Sequence, residues 1–167
     1  MCKVDGTPGM ILRSNPISFD CRFDIHLKDL LLDVYVPAGA VPATLPGLVL
    51  MSGAPTKRSS NGTEHHYEAT TLAAQGYVVI AIDYRRLEDS PPGDPFVASI
   101  LDAAAAFNWL RDNAEEWNVD PDRIGFFGES AGAIAELFAG LIGDAEGGRI
   151  ADVTAIVDIA GLMFGLE

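Results

Sequence analysis

A chain of 167 residues that is 49% hydrophobic and 21% charged has the size and apolar content of one globular domain around one packed core. Eleven Lys and Arg stand against 24 Asp and Glu, and the resulting net charge of −13 repels phosphate backbones and anionic lipid headgroups. Nucleic acid and membrane surfaces are therefore excluded as expected partners. No apolar run approaches the roughly 20 residues of a membrane span. The Met1 to Asp20 stretch lacks a basic segment followed by an apolar one, so a soluble, cytoplasmic protein is expected. Cys2 and Cys21 fit neither a disulfide framework nor a metal motif and read as plain structural thiols.

In chain order, Phe19 to Leu27 and Leu30 to Val36 are rich in strand formers and join at Lys28-Asp29, which predicts an opening antiparallel hairpin ending at Pro37. Pro37 to Pro46 reads as a loop within the domain. From Leu48 to Met51 and from Tyr77 to Ile82 the apolar runs are continuous, as in strands covered on both faces. Between them Glu64 to Gln75 favours helix, with Gly76 where a left-handed cap belongs. Asp94 and Pro95 read as the cap and first residue of a second helix ending near Asn118. Phe96, Ile100, Ala103, Phe107 and Leu110 form its apolar stripe. Ile124 to Phe127 predicts a third buried strand, Ala131 to Leu141 a third helix, and Val153 to Ile159 a fourth buried strand. Strands alternating with helices define an α/β fold with a mainly parallel sheet and helices on both faces.

The chemistry concentrates at Gly128-Glu129-Ser130-Ala131-Gly132, a G-x-S-x-G pattern between a predicted strand and a predicted helix, as a nucleophile elbow requires. So sharp a turn holds its serine in strained backbone geometry. Strand and helix nearly touch there, so small residues are needed two positions either side, and Gly128 and Gly132 supply them. The Ser130 hydroxyl is expected to stand clear of the sheet, with the Ala131 N–H at the helix start free to bind a developing oxyanion. An ordinary glycine-rich loop is the plain alternative, and the flanking strand and helix favour the elbow.

Four segments carry a resemblance: Leu32 to Pro37; Gly76 to Arg85 with its Asp-Tyr-Arg ending; Asp102 to Ala114 with Asp120 to Ile124; and the elbow itself. Together with Val153 to Gly161, they make the chain resemble the serine carboxylesterases of the α/β-hydrolase fold, nearest the acetyl-xylan-esterase-like and hormone-sensitive-lipase-like groups. The resemblance implies that Ser130 attacks an ester carbonyl, that a histidine relays its proton, and that an acid orients the histidine. It also implies oxyanion donors in the loop after the third strand. Here Gly53 and Ala54 stand in that loop, while Ser52 replaces the family's usual histidine and Pro55 has no N–H to give.

In the family the acid and the histidine follow the serine, yet residues 131–167 contain no histidine. Residues 1–167 thus read as a single, partial α/β-hydrolase domain lacking the last strands, about half to two-thirds of an esterase domain. Asp158 matches a position that usually plays no catalytic part. A replacement base would have to be His26, His65 or His66, which read more simply as ordinary polar residues. Trp109 and Trp117 are expected to pack on the sheet from the second helix, and Arg85 and Arg86 to pair with Asp83 or Glu88. Asp112, Glu115 and Glu116 read as a solvated helix face. No loop matches a nucleotide-binding fingerprint, and no cofactor or metal is indicated. An unpaired apolar edge at Val153 to Ile159 implies a homodimer, a complementing fragment or aggregation. Two functions stay open: a hydrolase of short-chain or acetyl esters, and a catalytically silent hydrolase-like binding module.

Overall fold

A computed structural model describes residues 17–19, 30–38, 43–53, 66–85, 92, 96–142 and 150–161. The strands are β1 (Ile17–Phe19), β2 (Leu30–Tyr35), β3 (Leu45–Met51), β4 (Val78–Ile82), β5 (Val119–Glu129) and β6 (Ile156–Ile159). The helices are α1 (His66–Ala74), α2 (Val97–Asp112), α3 (Ala114–Trp117) and α4 (Ala131–Leu141). The strands form one sheet in the order β1-β2-β4-β3-β5-β6. β1 and β2 pair antiparallel, as do β2 and β4, whereas β4, β3, β5 and β6 run parallel to one another. This is the expected α/β fold with a largely parallel sheet.

The continuous apolar runs have the predicted cause, because the sheet is covered on both faces. Val49, Met51, Val78, Ile80 and Phe126 join Ala103, Phe107 and Leu110 of α2 and Ala135 and Ala139 of α4 in the larger core. Leu48, Leu50, Val79 and Ala81 project from the other face against Ala69 and Ala73 of α1. Phe107 meets Phe126 edge to face, ring centres 5.9 Å apart, a geometry that adds about 1 kcal/mol to the burial itself.

Several boundaries differ from those the sequence predicts. The opening antiparallel pair exists, but its first strand is Ile17–Phe19, and most of the Phe19 to Leu27 stretch lies outside the described residues. Asp94 and Pro95 lie outside them too. The second helix does not run on to Asn118. Asn113 breaks it by folding its side-chain amide back onto the Trp109 carbonyl at 2.8 Å, a local bond that competes with the helical ladder. Trp117 therefore belongs to α3, which ends at Asn118 in the left-handed conformation (φ 57°). Both tryptophans pack on the larger core, and Asp112, Glu115 and Glu116 are solvated as expected. Gly76 adopts the expected positive φ, 97°. The predicted buried strand at Val153 to Ile159 is extended only over Ile156–Ile159. Val157 and Ile159 are 44% and 45% exposed, because no described strand lies beyond β6.

Glu88 and Arg86 lie outside the described residues, whereas an ion pair with Asp102 holds Arg85. Its Nη2 and Nε reach Asp102 Oδ1 of α2 at 2.7 and 3.0 Å, and its backbone N–H donates to Asp102 Oδ2 at 2.7 Å. Both side chains are buried, so the pair rivets α2 to the end of β4. Removing one member leaves a buried charge unpaired. Asp102→Ala is accordingly expected to lower stability by about 3–5 kcal/mol in urea unfolding. A loss within the error of a surface substitution such as Asp112→Ala would show that the pair contributes nothing.

Candidate active site

Ser130 sits between the last residue of β5 and the first of α4, with φ 50° and ψ −116°. Such a conformation for a non-glycine residue stores about 1–3 kcal/mol and persists only where its surroundings enforce it. The surroundings here are explicit. The Ser130 N–H donates to the Ile159 carbonyl of β6 at 2.8 Å, and its own carbonyl accepts from Ile134 N–H at 3.1 Å, opening α4. The serine is half-buried, clear of the core.

The flanking glycines show why this corner tolerates nothing larger. A Cβ on Gly132 would lie 2.5 Å from the Met51 and Ser52 carbonyl oxygens at the end of β3. One on Gly128 would lie 2.5 Å from the Cα of Ala133. Helix and strands are thus at backbone contact distance on both sides of the serine. The closeness brings the start of α4 to the loop after β3, where a Cβ on Gly53 would stand 3.3 Å from that of Ser130. The first N–H groups of a helix have no acceptor within it, and Ala131 carries the first in α4.

Of the residues the sequence singled out, the structure brings Ser130, Ala131, Gly128, Gly132 and Gly53 together. Ala54, Pro55, His26 and His65 lie outside the described residues, as does the side chain of His66 at the start of α1. Asp158 lies on β6, in register with Gly128, and its carboxylate accepts the Gly161 N–H at 2.7 Å.

Two residues at this end of the sheet went unread in the sequence. The Tyr84 hydroxyl donates to the carbonyls of Ser52 at 2.8 Å and Gly53 at 3.2 Å, tying down the loop beside the elbow. Burial pushes its phenol up to about 12; the Ser52 side chain opposes the shift and the Glu136 carboxyl adds to it. Glu136 of α4 is completely buried. Only the Asp-Tyr-Arg ending signalled Tyr84, and an acid on the apolar face of α4 is the one trace that marks Glu136.

A serine at a strained strand–helix corner, beside the first amides of a helix and a glycine loop, on a sheet of this order, is the nucleophile-elbow arrangement of the α/β-hydrolase fold. The BD-FAE family model matches residues 32–163, and the chain belongs to that family. Carboxylesterase NlhH of Mycobacterium tuberculosis is 35% identical over 84% of this chain and 41% of its own length. Fumonisin B1 esterase of Sphingopyxis macrogoltabida is 32% identical over 64% of this chain and 22% of its own. Among solved structures, brefeldin A esterase, a bacterial homologue of human hormone-sensitive lipase, superposes with a TM-score of 0.61 at 25% identity. That match covers 84% of this chain and 38% of the esterase. The apo form of Thermogutta terrifontis esterase 2 gives 0.58 at 25% identity, over 75% and 45%. The chain thus spans less than half the length of each relative named. No described helix is long and apolar enough to cross a membrane.

The contact at Gly128 yields a direct test. Gly128→Ala is expected to destabilise the fold by about 1–3 kcal/mol or more through overpacking against Ala133. Gly76→Ala, where nothing lies within 4 Å and only the positive φ resists, is expected to lose about 1 kcal/mol. Urea midpoints in the reverse order would contradict the contact geometry.

Proposed function

We propose that this chain carries the nucleophilic half of a serine hydrolase acting on carboxylic esters with small acyl groups, and that Ser130 is the nucleophile. Ser130 Oγ would bond to the ester carbonyl carbon and pass its proton to a base. The alcohol then leaves, and water releases the acid from the acyl-serine. The observation that carries the reading is the φ of 50° at Ser130, a strain enforced by backbone contacts on both sides.

Ala131 N–H and Gly53 N–H are the oxyanion donors in this reading, with Ala54 N–H as a third. Tyr84 supports the assignment of Gly53. Carbonyl and N–H point oppositely in a trans peptide, so a phenol holding the Ser52 carbonyl turns the Gly53 N–H away from itself. The names of NlhH and of the fumonisin and brefeldin esterases support an ester substrate. No nucleotide or metal enters the proposed chemistry.

The base in this reading is a histidine; the family's follows the serine, and within this sequence only His26, His65 or His66 could replace it. A fluorophosphonate probe separates the two functional readings. Label on the wild-type chain and none on Ser130→Ala is the expected result. Label that survives in His65→Ala/His66→Ala would move the base elsewhere, and no label on the wild type at probe levels that saturate a control esterase would leave a silent binding module.

We further infer that a second copy of the chain covers β6. Its outer edge is open among the described residues, and Val157 and Ile159 are exposed on the sheet face opposite Ile156. Sedimentation velocity is expected to show a dimer that Val157→Lys with Ile159→Lys converts to monomer. A wild-type monomer at high concentration removes the inference.

A further inference from the structure

Glu136 lies on α4 with its side chain wholly inside the protein, and among the described residues neither carboxyl oxygen has a partner in good hydrogen-bond geometry, the Phe127 amide acting on it as an imperfect donor. It is wedged where β5 and α4 cross: a Cβ built on Gly128 would run into Glu136 Oε2 and into the backbone of Ala133. The groups that act on it are the Phe127 amide of β5, the Asp158 carboxylate of β6 and the Tyr84 phenol beyond β4. None of these is a cation. With no cation acting on it among the described residues, burial holds the group well above the usual carboxyl range. The Phe127 amide works against this shift, and Asp158 adds to it.

We propose that Glu136 is a positioning residue of the elbow: as a neutral acid it fills the crossing of β5 and α4 that presents Ser130, and once ionised it forces that crossing apart. The carboxyl packs against the backbone of Gly128, so on that side an anion gains solvation only if helix and strand separate. The same movement would withdraw the Ala131 amide and disturb Tyr84, which fixes Ser52 and Gly53. The catalytic consequence of the wedge rests on the reading of Ser130 above; the wedge itself does not.

The sign of the pH effect follows from linkage. A raised acid in the folded state means that the native protein holds a proton the unfolded chain has already lost. Above the ordinary carboxyl value of 4.5, stability therefore falls with rising pH until the folded group itself ionises. Within that window the unfolding equilibrium constant rises up to tenfold per pH unit from this group.

The test compares the wild type with Glu136→Gln and Glu136→Met from about pH 5 to about pH 9, by urea unfolding and by amide hydrogen exchange. The Ser130 and Ile134 amides, bonded to the Ile159 and Ser130 carbonyls, report the seating of the elbow, and the interior of α2 is the internal reference. In the wild type the protection of these two amides relative to α2 is expected to fall as pH rises, and stability with it. Both variants are expected to flatten the two trends. Parallel pH profiles in all three proteins would overturn the proposal. If neither variant folds, a wild-type protection ratio that does not change with pH would do so. Fluorophosphonate labelling keeps the two readings apart: a wedge signature without label refutes only the serine's role, and label with a flat ratio refutes only the wedge.

Discussion

Everything at the functional end of this molecule depends on how closely backbone approaches backbone around residue 130. α4 must start within van der Waals reach of the ends of β3 and β5, and only glycine at 128 and 132 permits it. The approach bends the chain at Ser130 into a conformation an L-residue avoids. It also sets the first amides of α4 beside the loop after β3. Sheet order matters in the same way. β3 and β5 are neighbours, so the loop at Ser52-Gly53 and the elbow arrive at one place by construction.

Polar groups buried at this end hold that arrangement from beneath. Tyr84 anchors the carbonyls of Ser52 and Gly53, Arg85 and Asp102 lock α2 to the end of β4, and Glu136 fills the crossing of α4 with β5. Apolar packing could supply the adhesion but little of the direction, because burial is proportional to area and indifferent to orientation. Hydrogen bonds and a bidentate ion pair are directional, and those of Tyr84 and Arg85 fix angles at this end of the sheet.

The sequence revealed what rests on local pattern. Continuous apolar runs marked β3 and β4, the G-x-S-x-G spacing marked the elbow, and α4 begins and ends where its pattern predicts. What it hid was non-local. Arg85 finds Asp102 across a strand–helix connection, so its charge could be read only against nearer acids such as Asp83 and Glu88. Tyr84 and Ser52 lie 32 residues apart, and nothing in either neighbourhood announces the other. Asn113 ended α2 through a side-chain bond that propensity alone does not foresee. The exposure of Val157 and Ile159 depends on what flanks β6, which no residue in β6 encodes.

The sheet order also bears on how the chain is made. β3 and β4 can pair once the segment through Ile82 has left the ribosome, but the other flank of β3 waits for β5, which ends at Glu129. Through the synthesis of all of α2 and α3, the apolar strand β3 therefore has one bare side. At translation speeds of about 5–20 residues per second that interval lasts seconds, long enough for chaperones to engage the nascent polypeptide.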